Sequence, residues 1–440
     1  VKNGFGRLEE VNFFLGLFMA IFLTPSVAFG GGGADVRILQ TGTDGARARV
    51  KLAEGARHEL LSSTFNLRND AIGYAHCASL REAARQGTDV KLLVDGLFFS
   101  MNPDLVQTLV ESGVQIRVFN PLNRTAFAPV IDKFGILTQR MHGKMMISDG
   151  AELIIGGRNL GADYFRPPTD QRDYAWMDLD LYVKGEVVED ARGTFLKLWE
   201  KALPPAFSVK NRTTVVGRKI QSDALDRHFR LLRSFGKRSA DFSQRLMHVD
   251  DIQFLANFGR VSFDGRNTAR LVEYLNRSKV SVTIVSPFLY FEPEMLNAIE
   301  KAIKERKISV TAYTNADTFR GANLLETAYG SAHYSQRSRL IRMGVDLREV
   351  NDREQIHAKS IILDHRLAYV GSSNFSPRSN GLDFESGVIV NDSELANALE
   401  SEIRGFGGGA VSATALNAKA RPFVNRCLQL LMRVGLERTL

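Results

Sequence analysis

Apolar positions along the chain fall into two kinds of run, and the two kinds alternate. Residues 58–65, 89–94 and 114–119 are short apolar stretches of strand length, and between them residues 75–86 and 105–111 carry apolar side chains at helical spacing. The order returns in the second half. Strand-like 280–285, 308–313 and 345–350 alternate with helical 293–306 and 334–343. Such alternation predicts mainly parallel sheets flanked by helices. At 141–159 and again at 356–374 the pattern changes to a polar start, an apolar run, a turn and an apolar return. That is a hairpin, with Asp149-Gly150 as its first turn signal, and it makes each sheet mixed. The expected architecture is two similar α/β domains, each a mixed, mostly parallel sheet flanked by helices, related by a pseudo-twofold axis.

The two hairpin segments are copies. MHGKMMISDGAELIIGGRN starts at Met141 and IHAKSIILDHRLAYVGSSN at Ile356. With His142 set on His357, Lys144 falls on Lys359, Asp149 on Asp364, Gly156 on Gly371 and Asn159 on Asn374. Four matched partners at fixed offsets from a given His arise by chance about once in 10⁵. The chain is internally duplicated.

Read as a strand, the first copy puts His142 and Lys144 on one face. The return strand brings Gly157 and Asn159 level with His142, and in the second copy Ser372 and Asn374 level with His357. Asp149 lies about 23 Å from His142 at strand rise, too far to share a small substrate. Asp149 and Asp364 therefore read as turn residues, and Gly156, Gly157, Gly371 and Ser372 as structural parts of the motif. Two such clusters face to face would offer two imidazoles, two ammonium groups and two amides. That set suits an anionic phosphodiester. Lys and Asn donors hold its free oxygens, one neutral imidazole attacks phosphorus, and one imidazolium protonates the leaving oxygen.

HxKxxxxD followed by GGxN or GSxN, twice in one chain, resembles the phospholipase D superfamily. WMDLDLYVKGEVV (176–188), RSRLIRMGVDLREV (337–350) and GSSNFSPRSNGLDFESGVIV (371–390) are similar to its bacterial cardiolipin synthase branch. The resemblance runs from about Val36 to Phe406. It implies a two-step phosphoryl transfer through a phosphohistidine, with no metal and no other cofactor. By motif position it makes His142 the nucleophile and His357 the acid, supported by Lys144, Asn159, Lys359 and Asn374. It matches Asp178 and Glu385 to the acidic residues that orient the imidazoles, although the local pattern alone reads Asp178 equally well as an exposed strand residue. The second turn, Asp364-His365-Arg366, departs from Asp-Gly, and Met145-Met146 follow the first Lys. Neither departure touches the chemistry.

A net charge of +8 favours an anionic partner, nucleic acid or an anionic membrane surface. Lys2 and Arg7, the apolar run 11–23 and Thr24-Pro25-Ser26-Val27-Ala28 read as a signal peptide over 1–28, exporting the protein to the periplasm or beyond. A Gly-rich spacer follows at 29–35, then a first domain at 36–205, a basic linker at 206–250, a second domain at 251–405 and a tail at 406–440. Within the linker, Leu225, Phe229 and Leu232 fall on one side of a helix, read as solvated. Cys77 and Cys427 stand alone, with no zinc spacing. The resemblance points to an enzyme passing a phosphatidyl group to a lipid hydroxyl or to water. Its substrate would be an anionic phospholipid such as phosphatidylglycerol at a membrane surface, with no dedicated protein partner. A nuclease of the same superfamily is the alternative. A non-catalytic lipid-binding protein is a third class, against which the intact His, Lys and Asn of both copies argue.

Overall fold

The computed structural model describes residues 32–121, 139–166, 174–205, 213–236, 246–258, 266–316, 336–350, 354–406 and 410–412. The signal-peptide reading of 1–28, Cys427 and the end of the tail lie outside them. Residues from Gly31 onward form one compact unit. Among the described residues no helix is long and apolar enough to cross a membrane.

The first half supplies β1 (Gly32–Leu39), β2 (Glu59–Thr64), β3 (Asp89–Asp95), β4 (Val114–Phe119), β5 (Met145–Ser148), β6 (Glu152–Gly156), β7 (Ala175–Met177) and β8 (Asp180–Gly185). The second supplies β9 (Met247–Phe258), β10 (Ser281–Val285), β11 (Ser309–Asn315), β12 (Asp346–Val350), β13 (Glu354–Ile356), β14 (Ser360–Leu363), β15 (Leu367–Gly371) and β16 (Phe384–Asn391), and β17 (Ala410–Ser412) closes one edge. All but β7 and β13 join one 15-stranded sheet, ordered β17-β12-β11-β10-β14-β15-β16-β9-β1-β8-β6-β5-β2-β3-β4. Outward from the antiparallel β1–β9 seam, β8, β6, β5, β2, β3, β4 mirror β16, β15, β14, β10, β11, β12. The duplication in the sequence is thus a duplication of topology. β7 and β13 pair with each other in parallel, stitching the halves a second time.

The sheet is mixed, as the hairpins require. Parallel pairing is confined to β2-β3-β4 and β10-β11-β12, and the seam, the hairpins and their neighbours are antiparallel. Three boundaries also move. Gly32–Asp35, expected to be spacer, belong to β1, where backbone bonding to β8 and β9 needs no side-chain pattern. β9 begins at Met247, inside the expected linker, and β17 lies in the expected tail. The helix Val215–Gly236 is docked rather than solvated: Leu225 is fully buried in the first half's core, and Gln221 accepts from the Tyr74 hydroxyl at 2.7 Å.

Alternate residues of the strands feed different cores, which is why they are apolar on both faces. Leu60, Leu92, Met146 and Ile154 face the helices Gly42–Gly55, Ala71–Arg85 and Pro103–Glu111. Ile361, Tyr369 and Ile389 face the helices Arg266–Arg277 and Pro293–Lys304. Their neighbours Leu61, Leu93, Ile147, Ile155, Ile362, Val370 and Val388 enter a shared middle layer with the helices Val187–Lys201 and Ser393–Phe406. The apolar neighbours of each motif His, Met141 and Met145 in the first copy and Ile356 and Ala358 in the second, are buried in this middle layer.

Both hairpins turn as their residues demand. Asp149 and Gly150 stand at φ 51° and 65°, and Asp364 and His365 at 56° and 53°. His365 therefore holds the left-handed conformation that Gly150 takes without strain. Its ring bonds to Ser281 Oγ at 3.0 Å and Glu400 at 2.8 Å.

Candidate active site

Each His-Lys segment is tied to the opposite half. The expectation that His142 and Lys144 sit within a strand is corrected, because β5 starts only at Met145. The residues before it bond elsewhere: the amides of His142 and Gly143 both donate to the Phe384 carbonyl, at 2.9 and 3.0 Å. In the second copy the amides of His357 and Ala358 donate to the Met177 carbonyl, at 2.7 and 3.1 Å. Polar residues ending β3 and β11 position the residue before each His. Asp95 accepts from the Met141 amide at 2.7 Å, and Asn315 Oδ1 from the Ile356 amide at 2.7 Å. Asp95 also pairs with the buried Arg140 at 3.1 Å.

These straps carry a carboxylate across with them. Nδ1 of His142 donates to Glu385 of the second half at 3.0 Å, and Nδ1 of His357 donates to Asp178 of the first half at 2.6 Å. Asp178 is 1% exposed, so its reading as an exposed strand residue is overturned. The backbone there is fixed by Arg158, which donates to the carbonyls of Leu39, Gln40 and Asp178 and pairs with Asp180, itself paired with Arg49 at 3.0 Å.

The electrostatics follow from burial. It pushes His142 well below its usual range, helped by Lys144 and Lys359, and takes His357 down to about 3 with Lys359 assisting. Burial also lowers Lys144 to about 8 and Lys359 to about 7. It lifts Glu385 to about 7. Burial alone would raise Asp178 too, but His357 and Lys359 outweigh it and hold that carboxyl at about 2. Burial and the two lysines thus favour the neutral form of both imidazoles, beside two crowded ammonium groups. An entering anion relieves that crowding.

The amides complete the cluster. Asn159 Nδ2 donates to the Tyr164 hydroxyl at 3.0 Å. Among the described residues, the side-chain oxygens of both Asn159 and Asn374 are buried with no hydrogen-bond partner. Lys144 and Lys359 each donate to the carbonyl of their own His. At Gly157 an added Cβ would overlap the Asp178 carboxylate, whereas the matching Ser372 donates its hydroxyl to Glu385. Gly156 and Gly371 end the return strands, opposite Asp180 and Gly387.

Asp149 and Asp364 stay out of the cluster, at the far ends of their hairpins. Asp149 accepts from the amides of Arg57, His58 and Glu59, at 2.9, 2.8 and 2.8 Å. Asp364 does the same for Lys279, Val280 and Ser281. His76 shows the ordinary fate of a lone histidine, buried in the core against Ser62 at 2.9 Å. Cys77 is likewise buried, its thiol pushed up to about 12.

Sequence reasoning missed the aromatic walls. Phe65 lies 4.8 Å from the His142 ring, and Tyr164 and Trp176 lie 5.0 and 5.4 Å from that of His357. Phe98 packs on Phe65 at 5.1 Å and lines, with Asn66, Arg68, Phe99 and Ser100, an open depression of about 510 Å³. The polar residues ending two apolar parallel strands, Asp95 and Asn315, were the available signal for where the site lies.

The duplicated His, Lys and Asn of the two halves, with each imidazole beside a carboxylate from the other half, agree with the expected resemblance to the phospholipase D superfamily. The family described as "Cardiolipin synthase, PLD-like domain" matches residues 50–199 and 271–406, and the chain belongs to it. It is an enzyme of the superfamily's phosphatidyltransferase and phosphodiesterase class. Cardiolipin synthase C of Escherichia coli K12 is 26% identical over 406 residues, covering 82% of each chain. Cardiolipin synthase B of the same organism is 24% identical, over 85% of this chain and 80% of the relative. In fold the chain resembles phosphatidylserine synthase of Haemophilus influenzae, with a TM-score of 0.67 at 14% identity, over 92% of this chain and 95% of that one.

Proposed function

We propose that the protein transfers phosphatidyl groups between hydroxyls by way of a phosphohistidine. His142 Nε2 attacks phosphorus while His357 protonates the departing alcohol. The acceptor then returns its proton to His357 as its oxygen displaces His142. The observation that carries this reading is the pair of crossed His–carboxylate contacts, which engage Nδ1 of each imidazole with a carboxylate of the other half and keep that carboxylate off Nε2. A phosphodiester brings the negative charge that this cluster lacks. Its charge favours protonation of His357 when the substrate is bound.

A lipid substrate is favoured by the relatives and by the surface. Val215, Val216 and Ile220 are 75, 70 and 55% exposed around the exposed Lys219. The Thr214 amide just before them donates to Asp104 at 2.9 Å, in the first turn of the helix Pro103–Glu111. This helix end is apolar and cationic. It suits an anionic bilayer.

The test sets vesicles of phosphatidylglycerol beside DNA. Cardiolipin and glycerol are the expected products, and a short alcohol diverts product to the phosphatidyl alcohol. Robust DNA cleavage abolished by His142→Ala, with no phospholipid turned over, would replace this reading by the nuclease.

A further inference from the structure

The two half-sites share His, Lys and Asn, yet they set different groups beside the imidazoles. His142 has the Phe65 ring, a hydrocarbon with no proton to give. His357 has Tyr164, whose hydroxyl lies 3.4 Å from Nε2. Tyr164 is 5% exposed and stacks on Trp176 at 6.1 Å. The Trp176 indole donates to Asp163 at 3.1 Å, and Arg68 holds Asp163 at 2.8 Å. Asn159 donates to the Tyr164 hydroxyl, filling an acceptor position and leaving the single phenolic proton to point at His357. Asp178 already occupies Nδ1, and the Lys359 ammonium lies 2.7 Å from Nδ1 and 3.1 Å from Nε2, beside both ring nitrogens, so Tyr164 is the neutral donor at Nε2 and Lys359 the charged one. In the second copy the matching position, five residues past Asn374, is Ser379, which accepts from the Asn374 amide at 3.2 Å and serves Glu385.

We infer that Tyr164 is a positioning residue that reserves His357 for proton transfer, its hydroxyl donating to Nε2, beside the Lys359 ammonium, whenever that imidazole is neutral. So held, Nε2 is kept off phosphorus and the attack falls to His142. No bond of Tyr164 changes in the reaction. When the leaving oxygen takes the Nε2 proton, the phenol donates to the freed lone pair. The acceptor hydroxyl then displaces the phenol, gives its proton to Nε2 and bonds to phosphorus as the phosphorus–nitrogen bond breaks. The charged groups facing His357 are Asp178 from the β7–β8 link, Lys359 from its own segment and Lys144 from the first copy. Tyr164→Phe changes none of them.

The role in turnover rests on the phosphohistidine reading, but the hydrogen bond does not, so the test reads the two separately. The full chain is labelled with ¹⁵N in histidine, and His357 is assigned by its disappearance in His357→Gln. Without substrate, wild-type His357 should carry its proton on Nδ1 and show a hydrogen-bonded Nε2. Because the bond stabilises the neutral ring, Tyr164→Phe should raise the His357 pKa by up to about one unit, a tenfold gain in proton affinity, and leave His142 unmoved. On phosphatidylglycerol vesicles the His357 limb of the pH–rate profile should move up with it, the other limb staying in place. A wild-type Nε2 with the shift of a free lone pair would overturn the inference, as would superimposable titrations or a rate loss with no movement in pH. If no phospholipid is turned over, the functional reading fails while the titration still decides the contact.

Discussion

Asp149 bears the motif's third letter, yet its carboxylate serves the backbone. Oδ1 accepts the amides of His58 and Glu59, and Oδ2 that of Arg57. Asp149→Asn keeps an oxygen for the first two, as weaker neutral bonds. It sets an NH₂ against the Arg57 amide, donor facing donor. One charge-assisted bond lost and two weakened amount to about 2–3 kcal/mol, taken from the low end because the group is only half-buried. A cooperative unit of about 400 residues has an unfolding entropy near 0.8 kcal/mol/K, so the melting temperature should fall by about 3 °C. Burial would raise the carboxyl, but the three amides outweigh it and hold its pKa below the usual range. A depressed carboxyl stabilises the fold above its unfolded pKa and loses that contribution as pH falls through the native one. The gap between wild type and variant should therefore be full at neutral pH and close below about pH 4. Circular dichroism melts across pH measure it, with turnover on vesicles run in parallel and expected to persist. Loss of turnover at an unchanged melting temperature would refute the argument.

His142→Ala and His357→Ala should each lose at least about 10²–10⁴ of turnover with unchanged circular dichroism. Acid-labile, base-stable phosphate trapped by denaturation during turnover should map to His142, and finding it on His357 would exchange the two roles. Because both imidazoles are held neutral by burial and neighbouring lysines, binding a non-hydrolysable phosphodiester near neutral pH should draw protons from solution. Calorimetry in buffers of different ionisation enthalpy measures that uptake, and identical heats in all buffers would contradict it. Gly157→Ser copies the residue that Ser372 supplies in the second half, but its Cβ would collide with Asp178. Turnover should collapse in that variant, with the His357 titration displaced and that of His142 kept.

The local pattern determined a good deal of this protein. The duplicated hairpins, the helix–strand order around them and the exclusion of Asp149 and Asp364 from the cluster all follow from spacing along one segment. Side-chain alternation and strand rise are short-range properties. The local pattern also misled where it was silent. Gly32–Asp35 have no pattern to read because a central strand there is held by backbone bonds on both sides. The local pattern left Asp178 equally readable as an exposed strand residue because its acid side chain is matched by a residue 179 positions away. Only the tertiary structure decided that each histidine takes its carboxylate from the other half, and that a tyrosine faces one imidazole and a phenylalanine the other. Those pairings depend on how the two halves of one sheet join at the β1–β9 seam. No periodicity within either copy encodes which distant residue the meeting brings alongside.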